Sequence, residues 1–328
     1  MLDLKLASPQ KHESLTLYPL IVEAKLKLPY TLLGDALEAE TLEVTEVGEG
    51  SVPELTVHNK GETDVLILDG EQLIGARQNR MTNRSIVLGA KSKTGVPVSC
   101  MEQGRWHFES RKFSHGRHYS PSKVRRHARK HEAMYAAQEM APDHRVLADA
   151  QGEVWSEIHS YSDALDASSP TGKLDHIYDA KARDLDTWLK AFGWVDDQVG
   201  VLAFIGDEVL GLDVIGCHKM YASLHKRLVS GYVMDALAAR RRGRAREPGG
   251  DAAEEFLEKV RAAVRTQAPT VGKGTYRVLT ESVMGGELEE SGKLVHVSAF
   301  PAEDEGDRDE PERAPIRSPR QRRRRYMH

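Results

Sequence analysis

The sequence predicts an α+β domain whose mixed, largely antiparallel sheet comes from the N-terminal third plus a hairpin near residues 199–215, packed with several helices. Three observations carry this. Through the first hundred residues, short Val-, Ile-, Leu- and Thr-rich runs alternate with Gly, Asn, Asp and Lys, too densely for crossover helices between them. Between Pro121 and Phe192 the apolar spacing turns helical. Beyond Pro301 acids, Arg and Pro dominate. The chain therefore reads as one domain over residues 1–300 and a charged tail over 301–328, predicted to be disordered because it buries too little surface to offset its ordering entropy.

In order, strands are expected at Leu15–Leu28, Leu42–Val47, Pro53–His58, Val65–Leu68, Gln72–Ala76, Ser85–Leu88 and Gly95–Cys100, with a short helix inside Tyr30–Glu40. A helical, basic segment spans residues 121–192. Ser122–Met140 is a solvated basic helix with Ser120 or Ser122 as N-cap, and Gln151–Tyr161 and Leu174–Phe192 are two further helices. The runs at 199–205 and 209–215 form a hairpin around Gly206-Asp207, since glycine supplies positive φ cheaply. Helices at His218–Arg241 and Asp251–Thr266 follow, then a hairpin-like pair, Thr275–Val283 and Lys293–Phe300.

A chain of 328 residues, 40% hydrophobic and 29% charged, can bury a substantial core without staples. Two cysteines exclude a disulfide framework and a four-cysteine zinc site. No secretory signal or membrane-spanning run is apparent, so a cytoplasmic, soluble protein is expected, with no membrane partner. Charge is uneven: Arg105 to Lys130 holds nine Lys or Arg against the single acid Glu109. P-loop and dinucleotide-binding glycine patterns are missing, and the residues name no cofactor.

The chemistry concentrates in Leu68–Trp106. Asp69-Gly70-Glu71 ends an apolar strand at a turn, and Gln78, Asn79 and Arg80 offer amide and guanidinium donors suited to phosphate, carboxylate or a sugar edge. An ordinary polar hairpin turn explains these residues as well. In the run Cys100-Met101-Glu102-Gln103-Gly104-Arg105-Trp106, Cys100 is a candidate nucleophile, Glu71 or Glu102 a candidate general base, and Trp106 a stacking surface. The competing reading makes Cys100 a small buried hydrophobe. His127 and His131 have i, i+4 spacing, but no third metal ligand accompanies them, and no metal is expected. Lys226 and Ser230, one helical turn apart, either face the polar site or belong to the solvated face of an amphipathic helix.

The runs Leu68–Arg80 and Pro97–Trp106 resemble those of the ADP-ribosylglycohydrolase- and rhodanese/phosphatase-associated protein domain family, a bacterial family named for its gene neighbours. Further matches are Ser169-Pro170-Thr171, Gln151 with Trp155, Val209–Asp213, and Lys226 with Ser230, Tyr232 and Asp235. The likeness covers residues 14 to 300 and implies an association with ADP-ribose and NAD-linked chemistry rather than a defined reaction. Three readings stay open. The first is an enzyme acting on ADP-ribose or a related nucleotide, by hydrolysis with Glu71 or Glu102 as base; Cys100 stays a catalytic candidate. Gln78, Asn79, Arg80, Gln103, Arg105, Trp106 and Lys226 would hold the substrate. The second is a non-catalytic sensor using the same pocket. The third is nucleic-acid association through the basic segment and the tail, which low aromatic content (6%) weakens.

Overall fold

The computed structural model of the chain describes residues 3–23, 26–48, 53–129, 144–239, 248 and 251–302. The expected tail beyond residue 302, the continuation of the basic helix to Met140, and His131 lie outside them. The chain begins with β1 (Lys5–Leu6), β2 (Gln10–His12), β3 (Leu15–Ile21), β4 (Thr31–Leu32), α1 (Leu33–Glu38) and β5 (Leu42–Glu46). Then come β6 (Glu54–Asn59), β7 (Val65–Ile67), β8 (Glu71–Gly75), β9 (Arg80–Thr82), β10 (Ile86–Leu88), β11 (Ser92–Cys100) and β12 (Phe113–Tyr119). Helices follow: α2 (residues 122–129), α3 (His144–Ala164), α4 (Leu174–Ala180) and α5 (Ala182–Leu189). The hairpin β13 (Gln198–Ile205) and β14 (Glu208–Ile215), α6 (His218–Ala239), α7 (Ala252–Ala262), β15 (Val264–Ala268), β16 (Thr275–Thr280), β17 (Val283–Glu290) and β18 (Lys293–Pro301) complete it.

The result is α+β. A nine-stranded sheet runs β1-β3-β13-β14-β18-β17-β16-β15, with β2 on β3. A six-stranded sheet runs β12-β8-β9-β11-β6-β5, and β10-β7-β4 forms a third whose β4–β7 pair is parallel. All eight residues of β13 are buried because both faces of the large sheet are covered. Val201, Ala203 and Ile205 join the core under α3–α6, whereas Leu202 and Phe204 join the one under α7. Each such Val, Leu, Ile or Phe side chain contributes about 1.5–3 kcal/mol by leaving water.

Several expectations are corrected. Residues 174–192 form two helices, because Lys181 leaves helical geometry at φ −108°, ψ 14°. The break lets Leu174, Ile177 and Tyr178 meet the same core as Leu185, Trp188 and Leu189. The helix expected through Thr266 stops at Ala262. Ala263 turns extended, and the polar, alternating Val264–Ala268 becomes an edge strand. β16 and β18 do not pair with each other, since β17 lies between them. β9 and β12 go unforeseen, as their polar residues hide the alternation. The expected strand through Leu28 ends at Ile21.

Neither serine caps α2. The carboxylate of Asp235, on α6, accepts from the Ser122 amide at 2.9 Å. Nor is α2 a solvated basic helix, because Arg125 and Arg129 are buried. The described part of the chain contains no helix long and apolar enough to cross a membrane.

Candidate functional site

The Asp-Gly-Glu turn follows β7. Gly70, at φ +85°, turns the chain so that its amide reaches the Thr82 carbonyl at 2.8 Å. A β-carbon there would lie 2.6 Å from Arg125 Nε, so only glycine fits. The two acids beside it turn to different networks.

Asp69 enters a fully buried lattice. One oxygen accepts from Arg125 Nη2 at 3.1 Å, the other from Arg129 Nη2 at 2.6 Å and Ser298 Oγ at 3.0 Å. Arg125 also spans Asp213, through Nη1 at 2.9 Å and Nη2 at 2.6 Å, and Tyr232 Oη donates to Asp213 at 2.5 Å. Burial pushes both aspartates up, but the guanidinium charges outweigh it, holding Asp69 well below the usual carboxylate range and lowering Asp213 as well. Asp69, Asp213 and His296 each place one ligand atom within 4.8 Å of the others, a spacing a metal could use. Arg125 and Arg129 already engage those carboxylates, so the donor set does not fit a cation. The lattice ties α2 to β14 and β18.

Glu71 turns the other way. Its Oε2 accepts the Leu68 amide at 2.8 Å, and its Oε1 takes His115 Nε2 at 3.1 Å and Arg227 Nη2. Arg227 Nη1 approaches His115 Nδ1 at 3.0 Å. An arginine only donates, so His115 Nδ1 is the acceptor here and Nε2 is the nitrogen that donates to Glu71. Burial raises the Glu71 carboxyl, yet Arg227 and His115 outweigh it and hold it ionised. On α6 it is Arg227 that reaches this acid, while Lys226 is exposed.

The second motif forms the wall of a separate network. Cys100 lies opposite Arg80 across β9 and β11, fully buried. Gln151 clamps its backbone: the amide oxygen accepts from Cys100 N at 2.7 Å and the amide nitrogen donates to Cys100 O at 2.8 Å. Burial pushes the Cys100 thiol up to about 11, against the pull of Arg80, so at neutral pH it is a thiol and a poor nucleophile. Glu102 Oε1 accepts from Thr171 Oγ1 at 2.7 Å and its Oε2 from Arg105 Nε at 2.8 Å, with Arg105 Nη2 ion-paired to it at 2.7 Å. Burial raises this carboxyl too, but the bonds from Arg105 and Thr171 outweigh it and lower it. Gly104 donates to Thr171 O at 2.8 Å, an approach so close that a β-carbon would lie 2.9 Å from Thr171 Cα.

Arg105 is consumed as a clamp. It bonds the carbonyls of Ala76 at 2.7 Å, His107 at 3.1 Å and Gly75 at 3.3 Å, plus Asn79 Oδ1 at 3.3 Å. Gln78 Nε2 donates to the Glu102 carbonyl at 2.8 Å, and Arg80 Nη1 to Gln78 Oε1 at 3.0 Å. Thus Gln78, Asn79, Arg80, Glu102 and Arg105 converge, with Cys100 behind them, while Glu71 belongs to a different cluster and Gln103 is exposed.

The clamp pins the loop after β11 so that Trp106 and Phe108 stand out, 45% and 52% exposed. The Arg77 guanidinium lies 4.4 Å from the Phe108 ring centre and 5.7 Å from that of Trp106, with Arg80 5.9 Å from Trp106 on the buried side. Beneath them several buried donors have no hydrogen-bond partner: Arg77 Nε, Asn79 Nδ2, Arg80 Nε and Arg80 Nη2. Glu46, from β5, stands opposite, 3.6 Å from Arg80 Nη2. The sequence reading missed Arg77, Glu46, His115 and Arg227. Arg77, directly before the Gln-Asn-Arg triplet, was the one within reach of a sequence signal.

Fold and site together define an α+β structure with buried ion-paired networks around Asp69 and Glu71 and one exposed cation–aromatic patch. Residues 3–300 match the ARG and Rhodanese-Phosphatase-superfamily-associated Protein domain, and the chain belongs to that family. The name records an association with ADP-ribosylglycohydrolase and rhodanese/phosphatase proteins. No curated protein and no solved structure matches the chain.

Proposed function

We propose that the chain is a non-catalytic binding module for an anionic, nucleotide-like ligand, with ADP-ribose the first candidate. One observation carries this: an Arg77 cation between two exposed aromatic rings, above buried donors that lack partners. Buried donors are nearly always satisfied in folded proteins, and four unpartnered ones gathered on Arg77, Asn79 and Arg80 beside the exposed rings favour an acceptor-rich guest such as a phosphate. Trp106 or Phe108 would stack on the ring, and Arg77 would meet the charge. The family's association with ADP-ribosylglycohydrolase proteins supports the choice of ADP-ribose.

The hydrolytic reading has less support. A general base needs a pKa near the working pH and a free lone pair facing the substrate. Glu71 and Glu102 are both lowered, with both oxygens of each already bonded. Calorimetry with ADP-ribose and with NAD tests the proposal. Binding without turnover, weakened by Trp106→Ala, is expected. Product formation abolished by Glu102→Gln or Glu71→Gln would restore the hydrolase, and absence of binding to a folded protein would remove both.

A further inference from the structure

Among the described residues, buried carboxylates bond through both oxygens, with one exception. Asp69, Glu71, Glu102, Asp213 and Asp235 each have a donor on both oxygens. Among the described residues, Glu46 Oε2 is the buried carboxylate oxygen without a hydrogen bond. The Glu46 side chain is only 4% exposed, and Arg80 facing it is 0% exposed. Their nearest atoms are 3.6 Å apart, an ion pair too long for a hydrogen bond, and Arg80 Nη2 and Nε are unbonded as well. The other oxygen of Glu46 takes the Arg77 amide at a long 3.2 Å. A carboxylate thus lies between the backbone of Arg77 and the guanidinium of Arg80 with its bonds half made.

We propose that Glu46 is a built-in competitor: it occupies the anion seat of the Arg77–Arg80 site, and a phosphate oxygen of the ligand displaces it from Arg80. The inference rests on the binding reading above and adds what governs its affinity. An arginine kept buried without a counter-charge is costly, so a resident acid holds Arg80 in place before the ligand arrives. A fully bonded acid, as at Glu102, would never give way. The loose geometry of Glu46 lets a better-placed anion replace it. Trp106, half exposed and 5.9 Å from Arg80, is the side chain that covers the guanidinium and must shift for the exchange. The ligand class is therefore an anion bearing at least one phosphate beside a flat ring, and an uncharged nucleoside should bind poorly.

The test is calorimetry of the full chain with ADP-ribose, inorganic pyrophosphate and adenosine. Glu46→Gln keeps the shape and the bond to the Arg77 amide but removes the competing charge. It should bind ADP-ribose and pyrophosphate roughly three- to tenfold tighter than the unaltered protein, with adenosine unchanged. Glu46→Ala serves if the glutamine variant does not fold. Glu62→Gln removes the same charge from a surface position and should change nothing. If Glu62→Gln tightens binding as much, the effect is a general field and the proposal falls. It also falls if the unaltered protein binds ADP-ribose through Trp106 yet neither Glu46 variant binds tighter; the binding reading then stands alone. If the unaltered protein binds neither anion, the binding reading itself is wrong and this inference goes with it.

Discussion

Around Asp69, two aspartates and two arginines bond one another until neither carboxylate has a free oxygen. Around Arg80, residues of the same types leave donors and an acceptor without partners. Both regions draw on the polar runs between Leu68 and Trp106, and both are buried. The first pairs every oxygen of its two aspartates, as architecture must, because an unpaired charge in low dielectric is destabilising, and leaves only nitrogens such as Arg125 Nε without a hydrogen bond. The second leaves donors of Arg77, Asn79 and Arg80 and one oxygen of Glu46 without hydrogen bonds, next to two exposed aromatic rings. A motif residue's partners therefore tell more about its role than its chemical type does.

The sharpest way to break this contrast is Arg125→Met, which strips Asp69 and Asp213 of a shared partner. Urea denaturation should show a loss of about 3–5 kcal/mol. A loss under about 1 kcal/mol would mean the lattice is not architectural. Next, Arg105→Ala removes the clamp on the Trp106 loop and leaves Glu102 buried. It should cost about 2–4 kcal/mol and weaken ligand binding together, and Arg105→Lys should recover little because the fork geometry is lost.

His127 gives a pH test between the two regimes. Burial lowers this imidazole, but Glu153 at 3.3 Å and Glu157 at 3.7 Å outweigh it and raise it to about 9. A raised folded-state pKa means the stabilisation is fully present below the unfolded value of about 6.5 and is lost as pH rises through about 9. His127→Gln should therefore destabilise by about 1–3 kcal/mol at pH 6 and by much less near pH 10. A gap that does not change with pH would refute the charged pairing. The smallest effect on stability belongs to the open patch. Trp106→Ala should shift unfolding by no more than about 0.5 kcal/mol while costing binding about 1–3 kcal/mol, the worth of one stacked ring.

Local periodicity made much of the fold legible. The continuous apolar run of β13, the Gly206-Asp207 reversal and the long α6 follow from neighbouring residues alone. β12 did not, because Phe113-Ser-His-Gly-Arg-His-Tyr119 buries its ends and displays charge between them. The segment carrying the site was also legible, but its internal assignments were not. Arg125 finds Asp213 across 88 positions, and Arg227 finds Glu71 across 156, so no local pattern marks either pair. Lys226 and Arg227 look alike in sequence. The phase of α6 turns the first to solvent and the second to Glu71, and that phase is set by packing against β12 and β13. Glu46 carried no signal, since its meaning lies in what its oxygen lacks.

The position of the β13–β14 hairpin in the large sheet bears on how the chain assembles. One edge of the hairpin is hydrogen-bonded by β3, residues 15–21, and the other by β18, residues 293–301. The middle of the sheet thus cannot close until β3 has reached β13 across 177 to 190 positions and β18 has reached β14 across 81 to 87. Loop closure over such distances precedes the burial that rewards it, which makes such topologies slow to fold. During synthesis the hairpin would emerge with one edge unpaired and wait for the last strand. Exposed strand edges of that kind are where chains associate wrongly, so the yield of native protein should depend more on conditions while β18 is awaited than on the stability of the finished domain.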